Sequence, residues 1–254
     1  MNHFSLKNKI VVITGGCSGI GLGVAKRFQE YGARVVVIDI KIPDGFEQRE
    51  DLITFSANVA DEPSMVSVFQ KIKRQFTQID ILINNAGIGD LPGTIIEGDS
   101  ERWRRIFDIN VFGIFYGIKY GAPILKDGGA IINTASQAAI TKIGGMEPYS
   151  ASKAAVVSIT QTAALELAER QIRVNAVCPS NTKTPMMTNS ADAGISEKIS
   201  QVFSPSGRAA ELEDMIGLFH FLASDAARYI NGQAIVADGG WTAGVSNTVL
   251  GAVL

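Results

Sequence analysis

KIVVITGGCSGIG, residues Lys9–Gly21, passes from an unbroken β-branched run into a cluster of glycines. Lys9–Thr14 shows no polar–apolar alternation, so it reads as a strand buried on both faces, the signature of a parallel sheet. Gly15, Gly19 and Gly21 mark a backbone that turns tightly and lies close to whatever it meets. An amphipathic stretch, Leu22–Tyr31, follows, and Gly32 ends it. Arg34–Asp39, RVVVID, is a second buried strand. Strand, loop, helix and strand make one βαβ unit.

The same alternation runs outward along the chain. Leu52–Ala57, Ile79–Ile83, Gly129–Thr134, Ile172–Val177 and Ala234–Ala237 read as strands. Asp61–Phe76, Ser100–Tyr120, Tyr149–Arg170 and Ala209–Leu222 read as helices. No Pro/Ser/Gly-rich linker and no repeat interrupts them. The expectation is an α/β fold: a single doubly wound Rossmann domain over residues 1–254, its central parallel sheet covered by helices on both faces. Residues 186–206 are small, polar and weakly patterned, and read as a lid over a substrate. The tail, Trp241–Leu254, ends apolar and is expected to close over the site, reach a neighbouring subunit or stay unstructured.

Composition excludes several functions. The 254 residues are 46% hydrophobic and 19% charged, with a net charge of −2. That balance disfavours nucleic acid and anionic membrane surfaces as partners. No apolar run is long enough for a transmembrane span, and no signal peptide is evident. Two cysteines, Cys17 and Cys178, make no disulfide framework, so the cytoplasm is the expected location. With His3 and His220 the only histidines, a metal site is not expected. Two helices lack a polar face. Tyr149–Arg170 is apolar on nearly every side, and the Ser100 helix carries Trp103, Phe107, Phe112, Phe115, Tyr116 and Tyr120. Burial on more than the core side points to a subunit interface, hence a homo-oligomer, tetramer or dimer.

The glycine loop has the spacing G-x-x-x-G-x-G and opens a helix, whose free N–H groups and dipole suit a pyrophosphate. Asp39 closes the next strand, 18 residues past Gly21. A carboxylate there accepts both ribose hydroxyls of an adenosine and repels a 2′-phosphate. No arginine stands at Ser18 or Ile40 to bind such a phosphate, so NAD is expected over NADP. Cys17 reads as a small packing residue. YSASK, Tyr149–Lys153, places a phenol and an ammonium one helical turn apart; a solvated pair and a reactive pair both fit that spacing.

TGGCSGIG at 14–21, NNAG at 84–87, Asn110, Ser136, YSASK at 149–153 and DGG at 238–240 come in one order. With these motifs, nearly the whole chain resembles the short-chain dehydrogenase/reductase family. The resemblance implies an NAD-dependent oxidoreductase that interconverts a secondary alcohol and a ketone by Ser-Tyr-Lys chemistry. It implies Tyr149 as general base or acid, Lys153 on the nicotinamide ribose, Ser136 on the substrate oxygen, and Asn110 on a water linking Lys153 to solvent. Cofactor contacts carried over by motif are Gly15, Ser18, Gly19, Ile20 and Gly21 at the phosphates, and Asp39, Asn58 and Val59 at the adenosine. Asn85, Ala86 and Gly87 line the central groove, and Pro179, Thr182 and Thr184 lie at the nicotinamide. Asn58 replaces the usual aspartate, and Ser180 the usual glycine after Pro179. Ser136, Gln137, Met146, Tyr149, Ser180 and Met186 are the substrate-side candidates, with Ala138, Gly145 and Met187 beside them. A neutral alcohol or ketone is expected. A non-catalytic NAD(H)-binding regulator is the alternative; the intact Asn110, Ser136, Tyr149 and Lys153 argue against it.

Overall fold

Ile10–Thr14 forms strand β1 at the centre of a computed structural model that describes residues 2–44, 46, 49–89, 93–189 and 193–251. Along the chain follow α1 (Gly19–Glu30), β2 (Arg34–Asp39), β3 (Leu52–Ser56), α2 (Glu62–Phe76), β4 (Ile79–Asn84) and α3 (Ser100–Phe107). A π-helical turn, Asp108–Phe112, joins α3 to α4 (Gly113–Gly121). Then come β5 (Leu125–Thr134), α5 (Glu147–Glu166), β6 (Arg173–Pro179), α6 (Pro185–Thr188) and α7 (Ala193–Phe203). The last elements are α8 (Leu212–Ala223), β7 (Ala234–Ala237) and α9 (Asn247–Gly251).

Among the described residues the strands make one parallel sheet of seven, in the order β3-β2-β1-β4-β5-β6-β7. Successive strand residues point to opposite faces. Val12, Val36, Leu82 and Ile131 therefore join one apolar cluster, with residues of α2 and α5. Their neighbours Val11, Ile13, Val35, Val37, Ile81 and Ile83 join the other, with residues of α1 and α8. Both faces are covered, which is why the strands carry no polar alternation. The order reverses between β1 and β4, and in such sheets the crevice at the strands' carboxyl ends is the ligand site.

Helix boundaries depart from the expected ones where local chemistry overrides pattern. α1 begins inside the glycine motif at Gly19, three residues before the amphipathic stretch. α8 starts at Leu212 instead of Ala209, because Glu211 and Asp214 form a reciprocal capping box that fixes the first turn. The 186–206 lid is more ordered than expected. Its described part holds α6 and α7, and Ser190, Ala191 and Asp192 lie outside the described residues. In α7, Ile195, Ile199, Val202 and Phe203 sit at helical spacing that the polar residues between them obscure. Phe203 stacks on Trp241 at 5.4 Å, and the Ser204 hydroxyl donates to the Asp238 carbonyl at 3.0 Å. The lid's far end is thus pinned to the DGG turn. Part of the tail forms α9; residues 252–254 lie outside the described ones. Among the described residues no helix is long and apolar enough to cross a membrane.

Candidate active site

The ends of β1 and β4 are tied together by Thr14. Its hydroxyl accepts the Asn85 and Ala86 N–H groups at 3.0 and 3.1 Å. Asn85 Nδ2 returns to the carbonyls of Thr14 and Gly15 at 3.2 and 3.0 Å. Gly15 has φ +65°, and a Cβ there would stand 2.8 Å from Ala86 Cα, so only glycine lets the two turns meet. These bonds join the NNAG turn to the glycine loop.

α1 meets the groove with a bare N-terminus. Ser18 is its N-cap without a side-chain cap bond, and no acid occupies its first turn. α2 and α3, by contrast, are capped by Asp61 and Asp99. The uncapped N–H groups and positive dipole end of α1 are therefore available to an anion. Asp39 stands beside the loop, its Oδ2 accepting the Cys17 N–H at 3.0 Å. That bond fixes the carboxylate where an adenosine ribose would be read. Burial and Asp39 push the Cys17 thiol up to about 12, so it is an inert packing residue. Asn58 is exposed, and its Oδ1 accepts the Ala60 N–H at 3.0 Å. Val59 turns its side chain into the core, 3.0 Å from where a Cβ on Gly113 would stand. Any adenine contact at 58–59 therefore falls to backbone and to Asn58.

Across the crevice, Ser136 follows β5 and caps a short 3₁₀ turn, Gln137–Ala139, that packs on α5; its hydroxyl accepts the Ala138 N–H at 3.1 Å. Tyr149 and Lys153 stand one turn apart on α5, with Lys153 Nζ 5.8 Å from the phenol ring centre. Lys153 is buried and donates to the Thr134 carbonyl at 2.9 Å. Burial pushes its ammonium down to about 8, with the nearby Cys178 thiol opposing. Desolvation pushes the Tyr149 phenol above its ordinary value; its bond to the Ser136 hydroxyl pulls the other way, and Cys178 adds to the rise. Cys178 itself is fully buried and pushed up to about 11.

Asn110 reaches this cluster because of the π-helical turn. Its Oδ1 accepts the Ile88 N–H at 2.8 Å, while Nδ2 donates to the Ile88 carbonyl at 3.1 Å and to Ser152 Oγ at 3.2 Å. Across Gly87 it faces Lys153: a Cβ on Gly87 would stand 3.1 Å from Asn110 Oδ1 and 3.3 Å from Lys153 Nζ. Any side chain there would push between the two. Ser152 and Thr14 were not singled out by sequence reasoning, although both lie inside motifs it quoted.

The segment after β6 folds back over the phosphate loop. Thr184 Cβ comes within 3.4 Å of a Cβ built on Gly19, and Met186 lies over Gly89 at 3.7 Å on the same measure. Thr182 is buried and donates to the Ser180 carbonyl at 3.0 Å. Pro179 ends β6, and the Ser180 N–H is bonded to the Ala237 carbonyl at 3.1 Å. Ser180 is not among the positive-φ residues, so a side chain at this usual glycine position is unstrained. Met146 is the N-cap residue of α5, next to Gly145, whose carbonyl accepts the Gly93 N–H at 3.0 Å.

Comparison with known proteins agrees with this architecture. A family model described as enoyl-(acyl carrier protein) reductase matches residues 15–242. Meso-2,3-butanediol dehydrogenase of Serratia marcescens is 39% identical over 93% of this chain and 95% of its own. 3alpha-hydroxysteroid dehydrogenase of Mediterraneibacter gnavus is 36% identical over 92% and 97%. The crystal structure of 3-ketoacyl-(acyl-carrier-protein) reductase from Brucella melitensis, complexed with NADH, superposes with a TM-score of 0.85. It is 32% identical, covering 94% of this chain and all of its own. The chain therefore belongs to the short-chain dehydrogenase/reductase family of oxidoreductases, which work with a nicotinamide cofactor.

Proposed function

We propose that the protein is an NAD-dependent dehydrogenase/reductase that interconverts a neutral secondary alcohol and its ketone. The observation that carries this reading is the Ser136–Tyr149–Lys153 cluster beside a groove that ends at Asp39. The groove fits the cofactor: α1 offers an uncapped N-terminus to a pyrophosphate, and Asp39 offers a carboxylate to the ribose hydroxyls. Asp39 and the absence of arginine at Ser18 and Ile40 favour NAD over NADP. The NADH in the Brucella structure and the secondary alcohols named for the Serratia and Mediterraneibacter relatives point the same way.

Bound there, the nicotinamide supplies the hydride chemistry. The chain's own residues manage the proton. Tyr149 stands with its phenol protonated, loaded as the general acid for carbonyl reduction. In the oxidising direction it has to accept the alcohol proton, which requires positive charge nearby. Lys153, down to about 8, still carries its ammonium at neutral pH and provides part of that charge. Ser136 orients the substrate oxygen and stabilises charge developing on it. Asn110, facing Lys153 across Gly87, positions a proton path toward Lys153. The assembly is proposed as a homo-oligomer through the aromatic face of α3 and α4 together with α5, acting in the cytoplasm.

The test is NADH absorbance with a panel of secondary alcohols, for wild type and Tyr149→Phe, with NAD and NADP offered separately. Turnover with NAD is expected to fall at least about 100-fold in the variant, in line with loss of a general acid–base. NADH binding, read by fluorescence titration, is expected to survive. Binding without turnover by the wild type on any substrate would instead establish a cofactor-binding regulator. Faster turnover with NADP would overturn the role given to Asp39.

A further inference from the structure

An asparagine amide carries two N–H donors and an oxygen with two lone pairs, so each buried one has a short account to settle. Asn110 is fully buried. Its Oδ1 accepts the Ile88 N–H, while Nδ2 gives one proton to the Ile88 carbonyl and the other to Ser152 Oγ. Both donors are thereby spent. The remaining lone pair belongs to Oδ1, the atom that faces Lys153 Nζ across Gly87. The lysine is thus offered an acceptor, which suits an ammonium.

Ser152 completes this arrangement. It is fully buried on α5, directly before Lys153. Its hydroxyl donates to the Tyr149 carbonyl at 2.7 Å. A carbonyl only accepts, so the serine proton is committed there and the oxygen's lone pairs are left for Asn110. A bond from a helical serine back to the preceding turn is ordinary. The second bond is of another kind, because it ties α5 to the π-helical turn that carries Asn110.

The same device recurs two turns further along α5. Thr160 is fully buried, donates to the Val156 carbonyl at 2.7 Å and accepts Asn133 Nδ2 at 2.9 Å. Asn133 leads on to Asn84 instead of to Lys153. One helix therefore carries two such braces, and only one of them ends at the lysine. Building on the Tyr149–Lys153 proton chemistry proposed above, we propose that Ser152 is a positioning residue for proton transfer. By holding the second amide proton of Asn110, it keeps Asn110 Oδ1 turned on Lys153. Without the serine oxygen that N–H is buried with no acceptor. The amide then gains by tilting toward another partner, and Oδ1 leaves the lysine.

The experiment reads kcat for oxidation of the fastest alcohol in the panel above, with meso-butane-2,3-diol and cyclohexanol included. NADH affinity and melting temperature are read alongside. Ser152→Ala is expected to lower kcat about 10-fold and to leave NADH affinity unchanged. Ser152→Thr, which keeps the hydroxyl, is expected to recover most of that loss. Thr160→Val is expected to melt several degrees lower with kcat near wild type. In an Asn110→Ala background, Ser152→Ala is expected to cost less than about two-fold, since no amide is left to hold. Equal losses of kcat in the two backgrounds overturn the proposal, because Ser152 would then not act through Asn110. A Ser152→Ala variant that melts lower but keeps wild-type kcat marks the brace as structural, like that of Thr160, and also overturns it. If Asn110→Ala does not fold, the alanine and threonine variants of Ser152 decide, and equal losses of kcat in both overturn it. None of these outcomes touches the alcohol–ketone reading, which fails only if wild type turns over nothing in the panel; this proposal then fails with it.

Discussion

Lys153 combines a functional need with a cost in stability. Burial leaves it with a proton affinity near 8 in the folded chain, against 10.5 for a free lysine. A folded value below the unfolded one means the unfolded chain holds more protons between those two pH values, so stability rises with pH there. At neutral pH both states are protonated and the buried charge is a liability on the order of 3 kcal/mol. Lys153→Met is therefore expected to be more stable than wild type in urea at pH 7, though inactive. The gap should narrow by up to about 1.4 kcal/mol per pH unit as pH rises from 8 toward 10.5. Comparing the two proteins at each pH cancels Cys17, whose thiol, pushed up to about 12, ionises first in the unfolded chain and lowers stability above pH 9 in both. Cys178, pushed up to about 11, is coupled to Lys153 and does not cancel, so the gap is read between pH 8 and 9, before that thiol ionises. A gap that does not change with pH would mean Lys153 is solvated in the folded state. The resemblance to the family identified Lys153 from sequence. Its burial and its bond to Thr134 could not be read there, because they depend on how β5 and α5 approach each other.

At the scale of elements, α4 lies against the sheet through a glycine. Gly117 stands over Asn84, and a Cβ there would come within 2.0 Å of Asn84 Oδ1. Asn84 cannot move aside freely, because its amide starts a buried ladder through Asn133 Nδ2 to Thr160 Oγ1 and on to the Val156 carbonyl. Alanine at this helical position would gain about 1 kcal/mol by propensity alone. Overpacking is expected to reverse that sign, leaving Gly117→Ala less stable by about 1–3 kcal/mol in chemical denaturation. A stabilised variant would show that α4 can lift from the sheet at no cost. β4 at this contact was legible in the sequence to within a residue, since a parallel strand buried on both faces reads as a continuous apolar run. β5 instead starts at Leu125, four residues before the expected Gly129, where Lys126, Asp127 and Gly128 break the apolar run. What stayed hidden was set by competition between neighbours. The π-helical turn at Asp108–Phe112 has no composition of its own, yet it delivers Asn110 to Ile88. α7 was hidden because polar residues dilute its apolar stripe, and because Phe203 at its end rests on Trp241, far along the chain.

At the scale of the whole molecule, two aromatic residues, Phe112 of the π-helical turn and Phe115 of α4, stay open to water in the single chain. Phe112 and Phe115 are 45% and 43% exposed, pack edge-on at 6.5 Å and lean on Tyr116. Leu165 near the end of α5 is 78% exposed. Two neighbouring phenylalanines left in water are unfavourable, and this pair is where the self-association proposed above would sit. A second copy meeting the same face satisfies it by two-fold symmetry, with each residue contributing twice. The proposed contact would have a catalytic consequence, because it would lie on α5, the helix that carries Tyr149 and Lys153. Phe115→Asp places one carboxylate from each subunit at such a contact, buried and facing its own kind. The variant is expected to sediment as a monomer at micromolar concentration where wild type sediments as a dimer or tetramer. Its turnover is expected to drop while NADH affinity, assigned in the proposed function to the groove along β1, α1 and β2, holds. A wild type that sediments as a monomer would remove the contact altogether. A variant that keeps the wild-type size would move it to another face, and the exposed phenylalanines would then need a different covering.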